Sequence, residues 1–142
     1  MFDGLDQSVR VLFVAPGDLS TWASRVRPHL AKMADGSGGR FGTGDLIACL
    51  ASGRMLLWVI VEGVEILCVL VGEVMIYPRA KALRLTGLVG TQPNKWRRLL
   101  PFVEHQAKEQ FGCTIMESLH QPRHVAFSPG YETTHWLSEK KL

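Results

Sequence analysis

The stretch Leu83–Trp96 reads LRLTGLVGTQPNKW, and the rest of the fold can be worked out from it. An apolar run typical of a β-strand ends at Gly90, and a few polar residues lead into an apolar stripe with helical spacing. A strand, a glycine and a helix start, in this order, are the layout of many phosphate-binding loops. The stretch predicts a strand–turn–helix unit, and it leaves open whether the turn holds a phosphate.

The bulk composition is that of one globular domain over residues 1–142. Hydrophobic residues make up 46% of the chain and charged residues 20%. The formal net charge of +3 comes without a large Lys/Arg cluster, so a nucleic-acid partner is not expected. The three cysteines form no CxxC motif and the histidines form no helical pair, so no metal site is predicted.

The segment Met55–Tyr77 is the one candidate for a membrane span in the sequence. It contains Glu62, Glu65 and Glu73, and carboxylates in the middle of a bilayer are costly. Two buried strands joined by a short turn fit this segment better, so no membrane span is predicted. The first ten residues lack the features of a signal peptide, and the chain is therefore expected in the cytoplasm and not among secreted proteins.

Working outward from the opening stretch gives a complete order of elements. The strands are predicted to be long and apolar, so the sheet should be covered on both faces. Pro28 lies in the first helical stripe and either kinks one helix or opens a second one. Pro101 predicts a kink or a loose first turn in the main helix. The predicted elements are strand Val9–Val14, a helix with the stripe Leu19, Trp22, Val26, Leu30 and Met33, a glycine-rich loop Ala34–Gly44, helix Asp45–Ala51, strands Met55–Val61, Glu65–Tyr77 and Ala82–Val89, helix Asn94–Phe111, strand Thr114–Leu119, a short helical segment Pro122–Ser128 and strand Tyr131–Glu139.

This order of elements resembles that of the GNAT (Gcn5-related N-acetyltransferase) fold. The block Trp96–Ser118, WRRLLPFVEHQAKEQFGCTIMES, is similar to the family's third helix, its Gly-Cys turn and the strand after it. The block Phe127–Leu142, FSPGYETTHWLSEKKL, resembles the closing segment, where a glycine and an aromatic residue precede the last strand. The resemblance implies an α+β fold with a central mixed, mostly antiparallel sheet of six to seven strands and helices on both faces.

A narrower likeness is to small GNAT-like proteins of tailed bacteriophages, some of which are particle-associated. It rests on a glycine-rich loop before a short helix and on several short motifs. These motifs are Gly44-Asp45-Leu46, Leu57-Trp58, Tyr77-Pro78-Arg79, Trp96 and the terminal Glu139-Lys140-Lys141-Leu142.

The GNAT resemblance implies that a loop after the fourth strand holds the diphosphate of acetyl-CoA through backbone N–H groups. Small residues are needed there so that the backbone can approach the ligand closely. This sequence departs from the family pattern, because a single glycine is present and Pro93 has no N–H to donate. The turn either contacts a phosphate or only caps the helix. The candidate binding residues are Val89, Gly90, Thr91, Gln92, Asn94 and Lys95.

The resemblance also implies a carboxylate base that takes a proton from the acceptor amine and a tyrosine that protonates the departing thiolate. Glu73, within an otherwise apolar strand, is the first candidate base, and Glu117 on a later strand is the second. In the alternative interpretation, each carboxylate pairs with an arginine and has no catalytic role. The expected tyrosine is absent, because Phe127 stands in that region before Gly130-Tyr131 and cannot donate a proton.

Two hypotheses follow. The first is a non-catalytic GNAT-like protein of bacteriophage type, without a cofactor, that acts in a virion or its assembly and binds other phage structural proteins or itself. Its place would be the cytoplasm of a bacterial host or the particle. The alternative is a divergent N-acyltransferase that moves an acetyl group from acetyl-CoA to an amine.

Overall fold

A mixed sheet of five strands organises the described part of the chain. In the computed structural model, the described residues are 8–118 and 138–142. The strands are β1 Val9–Val14, β2 Leu56–Glu62, β3 Glu65–Tyr77, β4 Ala80–Gly90 and β5 Ile115–Ser118. The helices are α1 Leu19–Asp35, α2 Thr43–Ser52, α3 Pro93–Trp96 and α4 Leu100–Glu109, with short 3-10 segments at Pro16–Asp18 and Arg97–Leu99.

The strands lie in the order β1-β2-β3-β4-β5. The first four pair antiparallel, and β5 pairs parallel to β4. This confirms a mixed, mostly antiparallel sheet. The predicted count of six to seven strands is not reached, because the described residues contain five. The remaining predicted strand, Tyr131–Glu139, and the short helix Pro122–Ser128 fall largely or wholly outside the described residues.

One face of the sheet is covered by α1 and α2. Their apolar stripes pack on the residues of β2 and β3 that point the same way, which confirms the stripe predicted for α1. The helix continues through Pro28 without a break. Ser24, whose carbonyl loses its helical hydrogen bond to Pro28, is exposed, so water can take the place of the missing donor.

The other face is covered by α4. Trp58 of β2 is fully buried there, and its indole N–H donates to the Gln106 side chain at 2.8 Å. Phe13 and Phe111 complete an aromatic cluster with Trp58, with ring centroids 5.4 to 6.4 Å apart. The sheet therefore carries helices on both faces, as predicted.

The helix predicted over Asn94–Phe111 is divided into α3, a 3-10 segment and α4. Pro101 falls in the first turn of α4, where a missing N–H leaves no helical hydrogen bond unmade. The single helix of the prediction is thus divided into two short helices, and the proline lies in the first turn of the second.

The described C-terminal residues lie against the glycine-rich loop between α1 and α2. Arg40 pairs with Glu139 at 2.7 Å, and the Lys141 ammonium donates to the carbonyl of Gly38 at 2.8 Å. Gly38 and Gly39 both have a positive φ, a conformation that glycine adopts without strain. The loop is thus tied to the end of the same chain.

Among the described residues, none of the helices has the length and apolar character needed to cross a bilayer.

Candidate functional site

A β-bulge in the middle of β4 marks the candidate site. Leu85 pairs with Gly72 of β3 and Gly87 pairs with Val71, so Thr86 is an extra residue on β4. Bulges of this kind bend a strand and re-aim side chains, and they are over-represented next to active sites. The last described pair between β4 and β5, Leu85 with Ser118, lies directly before the bulge.

The Thr86 hydroxyl is buried and has no hydrogen-bond partner among the described residues. A buried hydroxyl without a partner costs about 1–3 kcal/mol, and native proteins rarely tolerate one without a reason. A ligand that offers a carbonyl or an amide at the bulge would satisfy this hydroxyl.

The turn after β4 is packed against β3. A Cβ added at Gly90 would lie 2.7 Å from the Leu67 carbonyl oxygen, so neighbouring backbone occupies the space that the glycine leaves. The Thr91 N–H donates to the same carbonyl at 2.9 Å, and the Thr91 carbonyl accepts from the Trp96 indole at 2.7 Å. Val89 packs against the core on the α1 side. The close packing of β4 against β3 therefore requires a glycine at position 90.

The two residues that follow are arranged as a helix start. Gln92 has φ 55 and ψ 56, a left-handed conformation that is uncommon for a residue with a side chain. Its carbonyl accepts from the Lys95 N–H at 2.9 Å, and Pro93 has no N–H. The N–H groups of Gln92 and Asn94 donate to no backbone carbonyl among the described residues. They are the backbone donors that an anionic ligand could use.

Lys95 is engaged in an ion pair. Its ammonium lies 2.9 Å from the Glu62 carboxylate at the end of β2, and both side chains are about one-third exposed. Lys95, which the sequence predicts as a candidate phosphate contact, is therefore paired with a carboxylate of the same chain.

Glu117 is fully committed to neighbouring side chains. One carboxylate oxygen accepts from Arg84 Nε at 2.9 Å, and the other accepts from the Tyr77 hydroxyl at 2.8 Å. The hydrogen bond to Glu117 is the largest influence on Tyr77 and raises the pKa of its hydroxyl. This arrangement ties the ends of three strands together.

Glu73 lies on the same face of the sheet and is held more loosely. It is the cross-strand partner of Arg84, which in turn pairs with Glu117, so all three point to the face that carries α1 and α2. Among the described residues, Glu73 has one ion-pair partner, Arg54, at 3.7 Å, which is too long for a hydrogen bond. Of the two predicted carboxylates, Glu73 is the one whose oxygens accept no hydrogen bond from the part of the chain that the structure describes.

The structure thus places the two predicted carboxylates on either side of Arg84. Arg84 itself lies two residues before Thr86 in β4. The predicted loop residues lie at the far end of β4, beyond the bulge. Phe127, at the expected tyrosine position, is outside the described residues.

Sequence reasoning missed Thr86, Arg84, Tyr77 and Arg54. A polar residue inside the apolar run LRLTGLVG was the available signal for Thr86. The arginines carried no signal, because their roles depend on strand register and on where α2 ends. No group of side chains suited to a metal ion occurs among the residues that the structure describes.

The sequence matches no protein-family model, and it matches no curated protein. Solved structures do resemble the fold. An aminoglycoside acetyltransferase from an uncultured soil metagenomic sample, solved with sisomicin, has a TM-score of 0.69 at 13% identity, over 98% of this chain and 99% of that one. An aminoglycoside N-acetyltransferase solved with CoA has a TM-score of 0.69 at 14% identity, over 94% of each chain. A GCN5-related N-acetyltransferase from Ralstonia eutropha JMP134 has a TM-score of 0.63 at 17% identity, over 94% of this chain and 99% of that one.

At these identities the likeness shows the fold alone. The chain has an α+β, GNAT-like fold, with helices on both faces of a mixed sheet that has five strands among the described residues. None of these three structures is described as a bacteriophage protein.

Proposed function

We propose that this protein is an N-acyltransferase that moves an acyl group from acyl-CoA to an amine. The observation that carries the proposal is the buried Thr86 hydroxyl at the β4 bulge, which has no hydrogen-bond partner among the described residues and lies two residues from the paired positions of Arg84 and Glu73. The solved structures with this fold are named as acetyltransferases, which favours this function over a purely structural one.

The described residues fit the two ends of acyl-CoA to different degrees. Thr86 offers a buried hydroxyl to the acyl or pantetheine end. At the diphosphate end, the N–H groups of Gln92 and Asn94 are available, and Lys95 would contribute once it leaves Glu62. Bound acetyl-CoA would supply an acyl group already activated as a thioester.

Glu73 is the residue that we assign as general base. A base must reach the proton of the attacking amine, directly or through one water. The Glu73 side chain is 26% exposed, and its contact with Arg54 is long. Glu117 has both oxygens engaged, so it is assigned to positioning Arg84 and Tyr77.

Binding and transfer test this proposal together. Acetyl-CoA at millimolar concentration should raise the melting temperature of the wild type, because a ligand of the native state stabilises it by mass action. Glu73→Gln should keep that shift and lose about 100-fold or more in the rate of acetyl transfer. Glu65→Gln, at the exposed start of the same strand, is the matched control and should retain activity. A wild type that shows neither a shift nor transfer would contradict the proposal.

The non-catalytic hypothesis keeps two observations in its favour. Lys95 is held by Glu62, and Pro93 removes a backbone donor from the turn. A virion or assembly role remains a prediction that a direct measurement can decide. If Glu62→Gln, which releases Lys95, also shows no shift with acetyl-CoA, and mass spectrometry finds the protein in purified particles, the non-catalytic role is the better description.

A further inference from the structure

We infer that the acceptor of this site is an amine with a carboxylate close to it, as in an α-amino acid. This rests on the proposed function, because it names the substrate class of the same site. The observation behind it is the pair formed by Glu73 and Arg54, a candidate base with a guanidinium beside it.

The ion pair between Glu73 and Arg54 is long and exposed. The distance from Arg54 Nε to Glu73 Oε2 is 3.7 Å, and the Arg54 side chain is 70% exposed. Ion pairs this exposed contribute little to stability, so a ligand can replace either partner at little cost.

The backbone of Arg54 is nevertheless well placed. Gly53 ends α2 with φ 81, and its N–H donates to the Leu50 carbonyl. The Arg54 N–H donates to the Ser52 hydroxyl at 3.3 Å. The guanidinium thus extends from an anchored main chain toward β3, and its side chain is exposed.

An incoming ammonium group would compete with Arg54 for Glu73. An acceptor with a lone positive charge would take the carboxylate and leave the guanidinium beside it, which is a repulsive arrangement. An acceptor that brings its own carboxylate exchanges one ion pair for two. The amine faces Glu73 and the carboxylate faces Arg54, where a guanidinium can form a bidentate contact.

Arg84 cannot take that role in the same way. Its Nε is bonded to Glu117 at 2.9 Å, and a terminal nitrogen donates to the Tyr77 hydroxyl at 3.3 Å. The formal charges of the four side chains sum to zero, since two are carboxylates and two are guanidiniums: Glu73, Glu117, Arg54 and Arg84. A polyamine would find no excess negative charge among these residues, whereas a zwitterion matches them.

Paired ligands provide the test. L-alanine, L-serine, L-leucine and L-phenylalanine are each compared with the corresponding amino amide, which keeps the amine and loses the carboxylate. Binding is measured by NMR titration and thermal shift, with and without CoA, for the wild type and for Arg54→Gln. Arg10→Gln, an exposed arginine on the far edge strand, is the matched control.

The wild type and Arg10→Gln should bind at least one amino acid about tenfold or more tightly than its amide, the effect of one charge-assisted hydrogen bond. Arg54→Gln should lose this preference while still binding the amide. Equal binding of acid and amide, or a preference that survives in Arg54→Gln, would overturn the inference. Binding through Arg54 with no acetyl transfer would uphold the amino-acid site and contradict the proposed enzyme.

Discussion

Lys95 and Glu62 form an ion pair, 2.9 Å from Nζ to Oε1, that joins the start of α3 to the end of β2. The pair holds the first cationic side chain that follows the turn after β4 in the sequence. Any anionic ligand at this turn must therefore compete with a carboxylate of the same chain, and that competition can be measured.

Glu62→Gln should strengthen binding of acetyl-CoA by up to about fivefold, because a partly exposed ion pair contributes up to about 1 kcal/mol. Lys95→Ala should weaken binding. Affinities can be measured by isothermal titration calorimetry at low and at physiological salt, and the gain should shrink as salt rises. Glu65→Gln removes the same charge from the paired position across the hairpin and should change affinity less. Weaker binding by Glu62→Gln would show that the glutamate supports the ligand site.

Thr86→Val should separate stability from binding. Valine has nearly the shape of threonine and removes a buried hydroxyl that has no partner among the described residues, so the unliganded protein should be equally stable or more stable. Its thermal shift with acetyl-CoA should be smaller than that of the wild type. Urea unfolding without ligand and thermal shift with ligand give the two readouts. A destabilised variant would mean that the hydroxyl already has a partner.

Much of the fold follows from local patterns in the sequence. Long apolar runs predict the central strands, and the 3.6-residue stripe predicts α1. The effect of Pro28 could not be decided in the same way, because it depends on whether the carbonyl at Ser24 faces solvent. The two-helix division around Pro101 likewise depends on how each short helix packs.

The candidate site is less visible in the sequence, because it depends on register. The extra residue Thr86 sets which residues of β4 pair with which residues of β3. A slip of this register by one residue would turn Arg84 to the opposite face of the sheet. The predictions of Glu73 and Glu117 needed only a carboxylate in an apolar strand. Their different roles follow from partners that are 19 to 40 residues away in the chain, such as Arg54 and Tyr77.

Gly90→Ala should destabilise the protein more than Gly87→Ala. The added methyl at Gly90 meets the Leu67 carbonyl at 2.7 Å, and backbone cannot move aside easily. At Gly87 it meets the Met33 sulfur at 2.6 Å, and a methionine side chain can adapt. We expect a loss of about 1–3 kcal/mol in the free energy of unfolding for Gly90→Ala and less for Gly87→Ala.

Gly17→Ala is the control for both glycine variants, since nothing lies within 4 Å of the added Cβ. Urea unfolding gives all three values. If Gly90→Ala proved as mild as Gly17→Ala, the turn after β4 would have to be looser than its packing against β3 indicates.

His29 should make the protein less stable as the pH falls. Burial, with a smaller contribution from Lys32, lowers the pKa of His29 below its ordinary value of 6.5, and the backbone of Arg25 opposes this only weakly. Between the folded and unfolded pKa values the unfolded state binds more protons, so stability is full above about pH 6.5 and declines below it.

His29→Gln should therefore reduce the slope of unfolding free energy against pH below about pH 6.5. His105→Gln, on an exposed position of α4, is the control and should leave the slope nearly unchanged. An unaltered slope in His29→Gln would show that this imidazole is more accessible to solvent in the native state than its burial indicates.

Gln92→Gly should stabilise the protein. Gln92 has φ 55 and ψ 56, and a residue with a side chain pays about 1 kcal/mol or more in this conformation, whereas glycine adopts it freely. Part of the gain is offset by the greater freedom of glycine in the unfolded chain, so we expect up to about 1 kcal/mol. Gln92→Asn should give a smaller gain and Gln92→Ala none, and chemical denaturation ranks the three.

The Gln92→Gly variant also tests the turn as a ligand site, because the N–H groups of the turn keep their places while the side chain is lost. Unchanged binding of acetyl-CoA by Gln92→Gly would assign the contribution of Gln92 to its backbone, and weaker binding would assign it to the side-chain amide.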